Sequence, residues 1–220
     1  MPFDWSFAAQ IVPQLLSGMA VTIEATLLSF GTALVIGMIL VVGRRSANGP
    51  IRLGTSVLVS FVRNTPVLVQ LYFLFYVLPR FGVVLPGLLV GVLGLGIHFS
   101  TYMSEVYRAG IESVPRQQWD AATALNLSPQ RTFLAVILPQ ALPPMIPALG
   151  NYLIIMFKDV AILSTITVVE MLATAQTIAA QTFRYLEPLT LVGLFYLAVS
   201  YPSSLLIRGL ERRFRPSHVE

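Results

Sequence analysis

The chain has 220 residues, 55% of them hydrophobic and only 11% charged, with a formal net charge of +4. An ordinary soluble domain carries about 25% charged residues, so this chain cannot coat a globular surface; that excludes a water-soluble enzyme and indicates one all-α membrane domain. It contains no cysteine, which excludes disulfides, thiolate metal sites and cysteine nucleophiles, and its basic balance reads as topology signal and head-group contact rather than nucleic-acid binding.

A membrane span needs about 20 mainly apolar residues, and the windows between charged residues locate the candidates. The N-terminal stretch MPFDWSFAAQ lacks a basic region and carries Asp4, unlike a cleaved signal. Segment 1–23 is apolar but interrupted by Gln10, Pro13 and Gln14, and is expected to be an extracytoplasmic, interfacial helix. A membrane domain over 24–208 follows, with a tail at 209–220. Its first span is 25–43. The second is 64–79 extended backwards by Leu58–Val62, the third starts after Pro86 and ends near 104, the fourth is 132–157 and the fifth 188–207.

Lysine and arginine are concentrated in cytoplasmic loops of membrane proteins. With the N-terminus outside, the inner side holds Arg44, Arg45, Arg52, Arg108, Arg116, Arg131, Arg208, Arg212, Arg213 and Arg215, and the outer side only Arg80, Lys158 and Arg184. Five transmembrane helices, N-out and C-in, are therefore expected. An odd number cannot divide into two equal inverted halves, so a solute pathway would form between two such chains.

The loop over about 108–131 has its own local signals. Ser113 is expected to cap a helix with Pro115 in its first turn. That helix would run to Leu125, with an Arg116–Asp120 surface pair and Asn126 as a left-handed cap. Ser128–Pro129 would start a second helix leading into span four. Small residues Ala121, Ala122 and Ala124 make the first helix either a knob for a partner's groove or a segment dipping into head groups.

The stretch WDAATALNLSPQRTFLAVILPQALPPMIPALGNYLI resembles the EAA loop of permease subunits of bacterial ABC importers. Asp120, Ala121 and Ala122 fill the Glu-Ala-Ala triplet, Asn126 stands where glycine is usual, and Val136, Leu138 and Pro139 match Ile-x-Leu-Pro. VRNTPVLVQLYFLFYVLP, STYMSEVYRAGIESVP and MFKDVAILSTITVVEML resemble the polar-amino-acid branch, with departures at Asn64, Val160 and Ala161. Residues 78–110 and 181–200 are closer still to permeases of ectoine and hydroxyectoine importers.

The resemblance implies a type I ABC importer permease fold in the bacterial inner membrane. It implies a coupling helix carrying Pro115, Trp119, Asp120, Ala121, Ala122, Leu125 and Asn126, with bulk at Ala122 harming docking more than loss of charge at Asp120. The implied partners are a second permease chain, two cytoplasmic ABC ATPases and an extracytoplasmic binding protein. ATP and magnesium would sit on the ATPase, since this chain has no GxxxxGK[ST] phosphate loop. The solute pathway would include Asn64, Thr65, Glu105, Asp159 and Ser164.

The residues themselves leave alternatives open. Glu105 follows Ser100, Thr101, Tyr102 and Ser104, a polar stripe that lines protein or water rather than lipid; a helix-to-helix bond is the plainer reading. Lys158 and Asp159 can neutralise each other or meet a zwitterion. Glu24 can be hydrated, Arg63 can snorkel to phosphates, and the lone His98 is a packing residue before it is a metal ligand. Gly87, Gly91, Gly94 and Gly96 form a close-packing face. An ion-driven transporter and a non-transporting scaffold remain as rival functions.

Overall fold

The computed structural model describes residues 3–214, and all of its regular structure is helical. Helix α1 is Trp5–Arg44, α2 is Gly49–Asn64, and α3 is Val67–Phe81, ending in a π turn and a 3-10 turn. Helix α4 is Gly87–Glu112 and α5 is Arg116–Ala124. Helix α6 is Pro129–Ile166, α7 is Met171–Thr182 and α8 is Leu186–Phe214.

Among the described residues α1, α4, α6 and α8 are long and apolar enough to cross a membrane, and α2 with α3 qualifies jointly across a bend of 102°. The span expected over 58–79 is thus not one helix. Pro66 has no N–H to continue α2 and drives Thr65 into extended backbone, φ −105° and ψ 138°.

The expected break near residue 24 is also absent. Helix α1 runs unbroken for 40 residues, about 60 Å at 1.5 Å per residue. Pro13 removes one backbone bond without ending it, and Asp4 caps its start by accepting from the amides of Ser6 and Phe7. Residues 5–23 are therefore the N-terminal half of the first long helix rather than a separate helix. Of the tail, 209–214 continues α8 and 215–220, with Arg215, lies outside the described residues.

The C-terminal half of α1 packs side by side with α4 through small residues, while its first half packs on α7 and α8. Ala25, Ser29, Ala33 and Gly37 recur every fourth position on the buried face of α1, facing Gly96, Ser100 and Ser104 of α4. A Cβ on Gly37 would lie 2.6 Å from Met103 Cβ, and one on Gly96 2.6 Å from Thr32 Cγ2. Lipid tails are as apolar as leucine, so this attraction is van der Waals contact between closely approaching backbones.

The contacts also fix direction. Gly37 meets Met103, and Arg44 reaches Glu105, so α1 and α4 are parallel. Gly91 meets Leu163 while Gly110 meets Met145, so α6 runs against α4. Phe157 stacks on Tyr196 and Gly150 meets Ile207, so α8 runs against α6. Parallel α1 and α4 require the chain between them to return, which α2 and α3 accomplish.

One end of the bundle is clasped by charge. Arg184 donates to Asp4 at 3.1 Å and to Glu187 at 2.8 Å, and its guanidinium lies 4.4 Å from the Phe7 ring centroid. The hydroxyl of Ser6, the amide of Phe7 and Arg184 together lower the Asp4 carboxyl to about 2. Further along α1, buried Glu170 caps α7 through the amides of Leu172 and Ala173 and accepts from Thr22 and Tyr196. Burial raises its pKa despite those four donors.

Candidate functional site

At the other end, α5 is a short helix between α4 and α6, seated on the first turns of α6. Its start is not capped by Ser113, which ends α4 and donates back to Gly110; Pro115 precedes the helix with no side-chain bond. Its end is a full Schellman closure: Asn126 donates to Thr123, Leu127 donates to Ala122, and Asn126 takes φ 52°. Ser128 accepts from Arg131 at 3.4 Å and opens α6, as its sequence predicts. Arg116 and Asp120 form no ion pair among the described residues, for both side chains are exposed to water that screens so weak a pair.

Exposure divides the residues of this loop. Pro115, Asp120, Ala121, Leu125 and Asn126 are exposed, and Leu125 is 74% exposed. Trp119 is half-buried against the core and Ala122 is only 2% exposed. Of the small residues on this helix, Ala122 therefore seats α5 on its own chain, and Ala121 and Leu125 face outward.

Above the loop, Glu105 gathers three arginines. It accepts from Arg44 at 2.6 Å, Arg63 at 3.3 Å and Arg108 at 2.8 Å, and Arg108 also holds Glu112 at 2.7 Å. The ends of α1, α2 and α4 are thereby tied at one carboxylate. The guanidinium of Arg63 lies 4.9 Å from the Tyr102 centroid, and Tyr102 packs against Tyr152 and His98. Arg63 is thus engaged with protein instead of snorkelling. Ser100, Thr101 and Ser104 are buried and donate to carbonyls of their own helix.

The elbow beside this cluster depends on a residue that sequence reasoning passed over. The Nε2 of Gln70 lies 2.7 Å from the Val62 carbonyl and 2.6 Å from Thr65 Oγ1. Val62 is four residues before Pro66, so its carbonyl is the one proline deprives of a partner. The signal was present as a glutamine one turn after a helix-breaking proline in an apolar segment.

The expected pathway residues fall into two groups. Asn64 and Thr65 sit at the elbow, donating to Ser60 and Phe61, next to Arg63 and hence Glu105. Asp159 and Ser164 lie towards the far end of α6, where Ser164 donates to Ala161. No hydrogen bond joins the groups among the described residues. Lys158 and Asp159 are both exposed and form no ion pair there. His98 stacks edge-on with Phe99, and no group of three metal-ligating side chains occurs among the described residues.

Long apolar helices packed through small residues, with a short polar helix linking two of them, define a polytopic helical membrane protein. The chain belongs to the family described as the binding-protein-dependent transport system inner membrane component, whose model matches residues 31–216. It is 49% identical, over 93% of its length and 89% of the relative's, to a probable amino-acid ABC transporter permease protein, y4tG, of Sinorhizobium fredii (strain NBRC 101917 / NGR234). It is 37% identical, over 91% of its length and 86% of the relative's, to the L-cystine transport system permease protein TcyB of Bacillus subtilis (strain 168). The crystal structure of an amino acid ABC transporter with histidines superposes with a TM-score of 0.90 at 33% identity, covering 97% of this chain and all of that one. The fold is that of a type I ABC importer permease, and the protein is an inner-membrane transport component.

Proposed function

We propose that this chain is half of the translocation pathway of an ABC importer for polar amino acids. It crosses the bilayer five times, N-out and C-in, with α2 and α3 making the second, bent crossing. A second permease chain, a copy or a paralogue, completes the pathway. Two ATPases carry ATP and magnesium and dock on α5 from the cytoplasm, and an extracytoplasmic binding protein delivers the solute. Nucleotide binding draws the two α5 helices together and hydrolysis releases them, so the pathway alternates between two populated conformations.

The observation that carries this reading is α5 itself, preceded by Pro115 and closed at its C-terminal end, seated by Trp119 and Ala122, and presenting Leu125 outward. Relatives named for amino acids and cystine support the substrate class. Asn64, Thr65 and Glu105 near one mouth, and Asp159 and Ser164 towards the other, offer charged and hydroxyl groups suited to a zwitterion. Ectoine or hydroxyectoine is the narrower reading, carried by the resemblance of 78–110 and 181–200.

The test is ATP hydrolysis in proteoliposomes holding the assembled transporter and its binding protein, with histidine, arginine, glutamate, cystine, ectoine and hydroxyectoine supplied in turn. Stimulation by an amino acid supports the proposal. Stimulation by ectoines alone selects the narrower reading, and hydrolysis indifferent to every loaded binding protein overturns the importer.

A further inference from the structure

Where α1 turns into α2, the chain leaves a cleft of about 500 Å³. Met38, Val42, Ile51 and Phe133 give it an apolar floor, and Arg45 and Ser46 stand at its rim. Arg52 is drawn to the same rim by donating to the Ser46 carbonyl at 3.2 Å. Met38, Val42 and Ile51 are 46%, 64% and 50% exposed, so the floor is open to whatever surrounds the helices.

The charge around the cleft is unbalanced. Neither Arg45 nor Arg52 has a carboxylate partner among the described residues. The carboxylates of the adjacent part of α4 are already committed, Glu105 to Arg44, Arg63 and Arg108, and Glu112 to Arg108. On the α6 side Arg131, two residues before Phe133 in sequence, is another cation. A ligand that fits must bring negative charge to the rim and an apolar portion to the floor.

We propose that the α1–α2 elbow binds an anionic phospholipid, with its phosphate on Arg45 and Arg52 and an acyl chain along Met38, Val42, Ile51 and Phe133. An acidic protein surface would meet the arginines but leave open an apolar floor formed by the last turns of a membrane helix. Basic pockets between spans on the cytoplasmic side recognise anionic head groups in this way. The assignment rests on the topology proposed above, which puts this elbow at the cytoplasmic leaflet.

The test counts phosphatidylglycerol and phosphatidylcholine retained on the purified transporter complex by native mass spectrometry. Phosphatidylglycerol should be preferred, and Arg45→Gln and Arg52→Gln should each lower the preference about five-fold. Arg208→Gln with Arg212→Gln, which together remove two charges on α8 away from the cleft, should leave it intact. Val42→Trp, at an exposed site that tolerates bulk, should reduce retention of both lipids. An unchanged preference in the Arg45 and Arg52 variants overturns the proposal, as does equal loss in the control pair or displacement of the lipid by inorganic phosphate. Labelling Ala47→Cys from either side of the membrane tests the topology separately, because retention in detergent does not depend on it.

Discussion

The side-chain amide of Gln70 occupies the bond that Pro66 denies to the Val62 carbonyl, at 2.7 Å. The 102° bend between α2 and α3 is thereby a satisfied structure instead of a frayed one. In hydrocarbon an unpaired backbone carbonyl costs several kcal/mol, so irregular backbone at membrane depth needs a partner of this kind.

Replacing Gln70 with leucine keeps the volume and removes the donor. The expected loss is about 1–3 kcal/mol, read as a lowered unfolding midpoint of the purified chain in detergent. Gln70→Glu, which has no amide hydrogens, should behave like leucine, and stability equal to the parent in both variants would show the elbow is held by other contacts.

Glu105 is expected to bind the helix ends as a unit. Glu105→Gln should destabilise by roughly 1–3 kcal/mol, because three arginines lose their shared counter-charge. Combined with Arg44→Gln, the losses should fall short of additive by more than about 0.5 kcal/mol. Strict additivity in a double-mutant cycle would mean the 2.6 Å contact contributes nothing specific.

The two glycines Gly31 and Gly37 of α1 should respond to alanine in opposite directions. A Cβ at Gly37 lies 3.0 Å from the Ser100 backbone oxygen, whereas nothing stands within 4 Å at Gly31. Gly37→Ala should cost about 1–3 kcal/mol by prising α1 from α4, and Gly31→Ala should be neutral or gain up to about 1 kcal/mol from helix propensity. Thermal unfolding of both variants measures the contrast.

Along α5, Leu125→Asp should weaken coupling between solute and ATP hydrolysis with little change in the fold, since Leu125 is 74% exposed. Ala122→Trp should instead unseat the helix, seen as faster proteolysis of the 113–128 loop. If Ala122→Trp folds normally and uncouples while Leu125→Asp remains coupled, the assignment of faces is inverted.

The Asp4–Arg184 clasp predicts a dependence on acid. A carboxyl held at about 2 instead of the usual 3.8 favours the folded state above about pH 4 and loses that contribution as pH falls towards 2. Asp4→Asn should flatten this window in pH-resolved melting curves. A parent and variant with the same profile would remove the clasp from the account.

Much of the architecture is legible along the chain because hydropathy and local signals are properties of short segments. The long apolar helices α4, α6 and α8, the α5 helix, the left-handed Asn126 and the Ser128 start can all be read this way. Thr167 and Phe183, also at positive φ, cannot, since neither residue type favours that conformation and only the surrounding packing imposes it. Glu170 gives no sign of its burial in sequence; it needs Thr22 and Tyr196 from two other helices.

The sequence by itself determined that this is a helical membrane protein, where its apolar segments lie and which loop resembles a docking element. These follow from composition, the cost of charge in lipid and short-range capping. Only the tertiary structure decided that residues 5–44 are one helix, that Ala122 faces inward, and that Glu105 joins three arginines from α1, α2 and α4. Those outcomes depend on which helix faces meet, and contact between segments sixty residues apart, as between Arg44 and Glu105, leaves no mark on either segment alone.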